Sequence, residues 1–223
     1  MEYEIKGNNL PYVICYLESG ESIVSEAGAM AWHSSNMEVE TKGRGGIGKM
    51  FGRAFSGESM FQNIYTPRSG RGEIAFASSF PGLILAIDLS GGKDLVVQKR
   101  AFLASEVGVD TEIFFQKKLG AGFFGGEGFI MQRLYGNGTA FLEVDGSIEE
   151  RILASGEKII IDTGYLLAMD STCSMDIVSA GNMKSMIFGG EGFFNTVING
   201  PGKVYLQTMP LNHLLSLIPT SNS

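Results

Sequence analysis

The chain has 223 residues, of which 44% are hydrophobic and 18% charged, with 31 glycines against six prolines. That apolar share supplies a sizeable core and excludes a disordered chain. The net charge of −7 removes the general attraction on which non-specific nucleic-acid binding rests.

Glycine is present at about twice its usual share and follows no G-X-Y period, so it signals many tight turns and an all-β chain. Ile74 to Ile87, the longest uncharged apolar stretch, is broken by Pro81-Gly82. It falls short of the roughly 18–20 residues that a membrane span needs. Met1-Glu2-Tyr3-Glu4 has no basic segment leading into an apolar run. Cys15 and Cys173 lie in apolar runs without CxxC or Cys/His spacing and read as buried free thiols. The expected location is cytoplasmic.

In chain order, three similar units are predicted. In the first, about 10–81, Gly20-Glu21 precedes the apolar Ile23 and Val24, and Ala29-Met30-Ala31-Trp32 follows. Met37-Glu38-Val39-Glu40-Thr41 then alternates as a strand does. A glycine-rich stretch leads to Gly57-Glu58-Ser59-Met60-Phe61, and Gly72 opens the strand Glu73-Ile74-Ala75-Phe76. The second unit, about 82–145, repeats the order with Gly92-Lys93, Ala101-Phe102-Leu103-Ala104, the alternating Thr111 to Phe115, Gly126-Glu127-Gly128-Phe129 and Gly138. In the third, about 146–210, the same landmarks are Gly156-Glu157, Tyr165-Leu166-Leu167-Ala168, Ser174 to Val178, Gly190-Glu191-Gly192-Phe193-Phe194 and Gly202.

The separations Gly92 to Gly126 and Gly156 to Gly190 are equal, and Gly20 to Gly57 is three residues longer. Asn137-Gly138 and Asn199-Gly200 read as type I′ hairpin turns, with positive φ at both central residues. One short C-terminal helix is predicted over 211–218, from Leu211, Leu214, Leu215 and Ile218 between Pro210 and Pro219. The expectation is a single all-β domain, a pseudo-threefold barrel or sandwich with a short C-terminal helix.

The recurring Gly-Glu-Gly-Phe-Phe pattern, the Ala27-Gly28-Ala29-Met30-Ala31-Trp32 segment and the terminal Pro-Leu…Leu-Leu run resemble the altered-inheritance-of-mitochondria family. The likeness covers essentially the whole chain and is most specific over 121–138 and 187–200. It implies a fold like that of the trp RNA-binding attenuation protein, repeated three times. The family's eukaryotic members are tied to mitochondrial inner-membrane organisation, and the resemblance brings no catalytic residue.

Several motifs invite a chemical reading. Gly43-Arg44-Gly45-Gly46-Ile47-Gly48-Lys49 has the GxxxxGK form of a phosphate loop, but Met50 stands where the Ser/Thr metal ligand belongs. GxGxxG occurs there and at Gly120 to Gly125, without the βαβ context that a dinucleotide fingerprint requires. His33 falls in the slot of Ser105 and Met169 and reads as a strand-edge polar position, and His213 lies on the polar side of the terminal helix. No GxSxG or Cys/His arrangement points to a nucleophile. Glu58, Glu127 and Glu191 recur once per unit. They read either as a carboxylate trio for a divalent cation or, more simply, as loop caps that accept backbone N–H groups. No cofactor is expected.

The glycine-rich loops carry Met50, Phe51 and Phe55, then Phe123 and Phe124, then Met186, Ile187 and Phe188. Apolar residues at hairpin tips are candidates for docking. A threefold arrangement would gather them at one end, flanked by Arg44, Lys49, Arg53, Lys117 and Lys118. The expected function is a non-enzymatic scaffold that docks through these loops onto a protein partner, a membrane surface or a second copy of itself. The alternative is single-stranded RNA binding through the basic and aromatic stretch 43–71, with Arg44, Lys49, Arg53, Arg68 and Arg71 interleaved with Phe51, Phe55 and Phe61. The net charge weighs against it.

Overall fold

The computed structural model describes residues 1–26, 28–43, 61–117, 128–179 and 194–210. They form an all-β structure. The strands are β1 (Glu2–Lys6), β2 (Tyr12–Leu17), β3 (Ile23–Glu26), β4 (Met30–His33), β5 (Met37–Gly43), β6 (Phe61–Pro67), β7 (Gly72–Ala77), β8 (Gly82–Asp88), β9 (Leu95–Gln98) and β10 (Phe102–Glu106). They continue as β11 (Val109–Lys117), β12 (Phe129–Gly136), β13 (Thr139–Asp145), β14 (Ile148–Leu153), β15 (Lys158–Asp162), β16 (Leu166–Asp170), β17 (Ser174–Ser179), β18 (Phe194–Asn199) and β19 (Gly202–Gln207). Helical turns among the described residues are limited to the 3-10 segments Lys99–Ala101 and Thr163–Tyr165. The helix expected over 211–218 lies outside the described residues.

Two compact units are formed. The first comprises Met1–Lys93, Arg100–Thr111 and Leu134–Glu143, and the second comprises 94–99, 112–133 and the chain from 144 onward. The first holds a four-stranded sheet, β1-β2-β7-β4, and a six-stranded sheet, β5-β6-β3-β10-β13-β8. Val13, Cys15, Leu17, Ile74 and Phe76 of the smaller sheet pack against Ile23, Tyr65, Leu103 and Phe141 of the larger one. The second unit is built around β11-β12-β9-β16-β19-β14 and the three-stranded sheet β15-β18-β17. Here Phe129, Met131, Leu166, Met169 and Val204 face Ile177 and Ile198. Each unit is therefore two layers over one core. All four sheets have ends, and no closed barrel occurs among the described residues.

Three antiparallel pairs share one register. Met30, Trp32 and His33 of β4 face Phe76, Ala75 and Ile74 of β7. Phe102, Ala104 and Ser105 of β10 face Leu142, Phe141 and Ala140 of β13, and Leu166, Ala168 and Met169 of β16 face Leu206, Tyr205 and Val204 of β19. Each pair carries its register shift at the same point, where one residue of the first strand is left over. The pairs β3–β10 and β9–β16 also correspond, with Ile23 opposite Glu106 and Leu95 opposite Asp170.

The glycine at the opening of each second strand is closely packed. A Cβ on Gly72 would meet Met37 Sδ at 2.6 Å, and one on Gly202, at φ +148°, would meet Cys173 Sγ at 2.6 Å and Thr172 Oγ1 at 2.7 Å. The turn at Asn199-Gly200 differs from the type I′ turn expected from its dipeptide. Gly200 is not at positive φ, its bond to Pro201 is cis, and the positive φ falls on Gly202. Proline cannot supply the N–H or the torsion that a two-residue I′ hairpin needs.

Gly202→Ala is expected to destabilise the protein by about 2–4 kcal/mol, combining backbone strain with overpacking. Gly20→Ala is also at positive φ but has open space around the added carbon, and it should cost only the strain, about 1 kcal/mol. Urea denaturation of the two variants measures the difference.

Candidate functional site

Met50, Phe51, Phe55, Phe123, Phe124, Met186, Ile187 and Phe188 lie outside the described residues, as do Glu58, Glu127 and Glu191. The strands that carry those segments are described. β5 pairs with β6 from Met37 opposite Pro67 to Gly43 opposite Phe61, and β17 pairs with β18 from Ser174 opposite Asn199 to Ser179 opposite Phe194. β11 and β12 are hydrogen-bonded neighbours that end at Lys117 and resume at Phe129. Each of the three segments thus joins two strands that are already paired.

Lys117, Arg68 and Arg71 are engaged. Lys117 Nζ donates to the Ile177 carbonyl at 2.5 Å. Arg68 Nε lies 4.0 Å from Glu38, and Arg71 pairs with Glu2 at 2.5 Å and Glu18 at 3.8 Å while stacking 4.7 Å over the Tyr16 ring. Arg44, Lys49, Arg53 and Lys118 lie outside the described residues. Arg71 is thus held by two exposed ion pairs and a ring contact.

Arg71 also lines an open cleft of about 620 Å³ with Met1, Glu2, Tyr3, Glu4 and Tyr16. Its charges are compensated internally. Tyr16 Oη donates to Glu4 Oε1 at 3.3 Å, and Lys6 pairs with Glu4 at 2.7 Å, which lowers the Glu4 carboxyl below its usual range. Desolvation and the Glu4 charge raise the Tyr16 phenol. No group of three or more His, Cys, Asp or Glu side chains arranged to hold a metal occurs among the described residues.

Three polar side chains missed by sequence reasoning act alike. Ser34 Oγ accepts the Glu73 N–H at 3.0 Å, Glu106 Oε2 accepts the Thr139 N–H at 2.7 Å, and Asp170 Oδ2 accepts the Lys203 N–H at 2.7 Å. Each follows the last residue of β4, β10 or β16 that pairs with β7, β13 or β19, and each takes the amide one residue after Gly72, Gly138 or Gly202. His33 occupies the same register position as Ser105 and Met169, with Nδ1 2.9 Å from the Ser34 carbonyl oxygen. The slot is at a sheet edge only in β4: Ser105 and Met169 are buried on the central strands β10 and β16.

Both cysteines are free and buried. Burial, reinforced by the Glu106 charge, pushes the Cys15 thiol up to about 12, and desolvation raises Cys173 as well. A thiol so far from ionising is not a nucleophile at neutral pH.

Two outcomes follow from these contacts. Asp170→Ala leaves the Lys203 amide without its acceptor and is expected to lower stability by about 1–2 kcal/mol. Asp170→Asn keeps an oxygen there and should recover more than half of the loss, read by thermal and urea unfolding. The raised Cys15 value means that its contribution to stability is complete below about pH 9 and is lost as pH rises toward 12. Thiol titration at pH 8 should accordingly leave Cys15 unmodified in the folded protein and modify it fully in denaturant.

The family model described as Mitochondrial biogenesis AIM24 matches residues 3–209. The uncharacterized protein M6_Spy0233 of Streptococcus pyogenes serotype M6 is 33% identical over 226 residues, spanning 96% of this chain and 89% of its own. The crystal structure of protein SPYM3_0169 from Streptococcus pyogenes matches with a TM-score of 0.78 at 28% identity, covering 96% of both chains. With a family match over nearly all of its length and a relative of this identity, the chain belongs to the AIM24 family.

Proposed function

We propose that this AIM24-family protein is a non-enzymatic, cytoplasmic scaffold that docks onto a protein partner or a membrane surface. Docking would use three glycine-rich connections bearing Met50, Phe51 and Phe55, Phe123 and Phe124, and Met186, Ile187 and Phe188. The observation that carries the reading is that each of these segments joins a strand pair that is already hydrogen-bonded. Hairpin connections are usually two to five residues long, and all three of these are longer. Length with aromatic or Met content beyond what the turn requires is the mark of a binding loop.

The same reading takes the chain as one domain made of three repeats, about 10–81, 82–145 and 146–210. The common register of β4–β7, β10–β13 and β16–β19 supports it, and so do the three equivalent amide caps. Each repeat would then present one docking loop. Among the described residues no helix is long and apolar enough to cross a membrane, so the membrane arm of the proposal is surface attachment.

The test is the double variant Phe123→Ser/Phe124→Ser. Co-sedimentation with anionic liposomes and chemical cross-linking in native lysate should both be assayed beside thermal melting. The expected outcome is an unchanged melting temperature with liposome or partner binding reduced about tenfold or more, as for loss of anchor residues. A lowered melting temperature with undiminished binding would place these rings in the core and overturn the reading. So would salt-sensitive retention of single-stranded RNA that the double variant leaves intact.

A further inference from the structure

Two Asn-Gly dipeptides stand in this chain, Asn137-Gly138 and Asn199-Gly200, each in the connection between two consecutive strands. Before glycine, an asparagine side chain is open to attack by the next residue's main-chain nitrogen, because no Cβ hinders the approach. The step needs that nitrogen free of other partners and close to the side-chain carbonyl. Both asparagines are exposed, so exposure does not separate them.

Their hydrogen bonds do. The Gly200 N–H donates to the Glu157 carbonyl at 2.9 Å, and the Asn199 side-chain amide donates to Ser174 Oγ at 3.4 Å. In the turn between β12 and β13 it is the flanking groups that are taken. The Asn137 N–H donates to the Gly108 carbonyl at 2.9 Å, and the Gly138 carbonyl accepts the Leu89 N–H at 3.0 Å. The Thr139 N–H goes to Glu106 Oε2 at 2.7 Å. Among the described residues, neither the Gly138 N–H nor the Asn137 side-chain amide has a hydrogen-bond partner.

We propose that Asn137 is a site of spontaneous deamidation and that the fold protects Asn199 from the same reaction. The Gly138 nitrogen attacks Cγ of Asn137. The N–Cγ bond forms, the Cγ–Nδ2 bond breaks, and the Gly138 amide proton leaves with the side-chain nitrogen as ammonia. Water then opens the resulting imide at one or the other of its carbonyls, leaving aspartate or isoaspartate. Water is the only co-reactant, and the two reacting atoms are held together by belonging to adjacent residues.

The site lies against one of the three amide caps. Glu106 Oε2 is 3.2 Å from the position that a Cβ on Gly138 would take. A carboxylate at 137 brings a second negative charge to the turn that Glu106 caps. Isoaspartate also lengthens the main chain by one atom between the Gly108 contact and the Thr139 cap, which draws the two out of step. Deamidation at Asn137 therefore loosens the opening of β13.

The experiment is storage of the full-length protein in warm, mildly alkaline buffer, followed by peptide mass spectrometry that separates aspartate from isoaspartate. Conversion at Asn137 is expected to run about five- to tenfold faster than at Asn199, the rate equivalent of the hydrogen bond that Gly200 must first give up. In denaturant the two sites should convert at similar rates, which assigns the difference to the fold. Stored protein should exchange the Thr139 amide hydrogen about tenfold faster than fresh protein. In Asn137→Ser, which has no amide to lose, storage should leave that exchange unchanged. Asn137 that stays intact, conversion at Asn199 that is as fast in the folded protein, or a difference that persists in denaturant would overturn the proposal. So would Thr139 exchange that deamidation leaves unaltered.

Discussion

An amide hydrogen at the opening of a strand, one residue past the last pair of its ladder, is tied down in the same way three times in this protein. In the pairs β4–β7, β10–β13 and β16–β19 the register slips by one residue, and the amide that follows the opening glycine is taken by a side-chain oxygen from Ser34, Glu106 or Asp170. A one-residue slip in a sheet turns every side chain to the other face. Tying that amide down fixes one end of each ladder. With these registers, Ile74 and Phe76 of β7, Ala140 and Leu142 of β13, and Val204 of β19 are fully buried. Glycine suits the cap at Gly138, whose φ of +141° is one side chains rarely adopt and where a Cβ would sit 3.0 Å from Glu106 Cβ, so that the neighbour would have to shift.

Several other buried polar groups follow the same logic of local satisfaction, although Thr111 Oγ1 and Gln132 Nε2 are buried without a partner among the described residues. Glu143, buried in the first unit, accepts from the Ser79 amide at 2.7 Å and the Ser78 hydroxyl at 3.1 Å. In the second unit, Gln207 accepts the Asp145 amide at 3.1 Å and donates to the Gly164 carbonyl at 3.1 Å, while Thr163 donates to the Phe194 carbonyl at 2.8 Å and accepts from Thr196. In low dielectric an unpaired group costs more than a pair gains, so these contacts fix the positions of connecting segments that aliphatic packing would leave loose. Four of these six contacts have a main-chain partner.

Much of the strand layout could be read in the sequence because alternation and glycine placement report directly on which face is buried. Met37 to Thr41, Thr111 to Phe115 and Ser174 to Val178 alternate and lie in β5, β11 and β17, while Gly72, Gly138 and Gly202 each stand at the opening of β7, β13 or β19. The amide caps were invisible for a physical reason. A serine, a glutamate and an aspartate perform one task, since the main chain asks only for an oxygen at the right distance, so no residue identity recurs. β1 escaped notice because all five of its residues are exposed and its apolar positions are too few to set a period. At Asn199-Gly200 the dipeptide pointed to one turn and the following Pro201 imposed another. The candidate docking residues lie outside the described residues, and what could be checked of that reading is the pairing of the strands on either side.

Sheet connectivity has a consequence for how the chain can be divided. The six-stranded sheet of the first unit joins β3, from the stretch before residue 82, to β10, from the stretch after it. In the second unit β9 and β16 are joined across the boundary near 146. A cut at either place falls between segments that look self-sufficient in sequence, yet it removes a central strand from a sheet rather than an edge. Fragments ending near 81 or 145 would carry an open, apolar strand side into solution. The ribosome meets the same constraint, because the partner of β3 is synthesised only after residue 101 and that of β9 only after residue 165. Closure of each large sheet must wait for sequence well beyond the first glycine-marked stretch, which favours slow folding governed by distant contacts over stepwise folding of one stretch at a time.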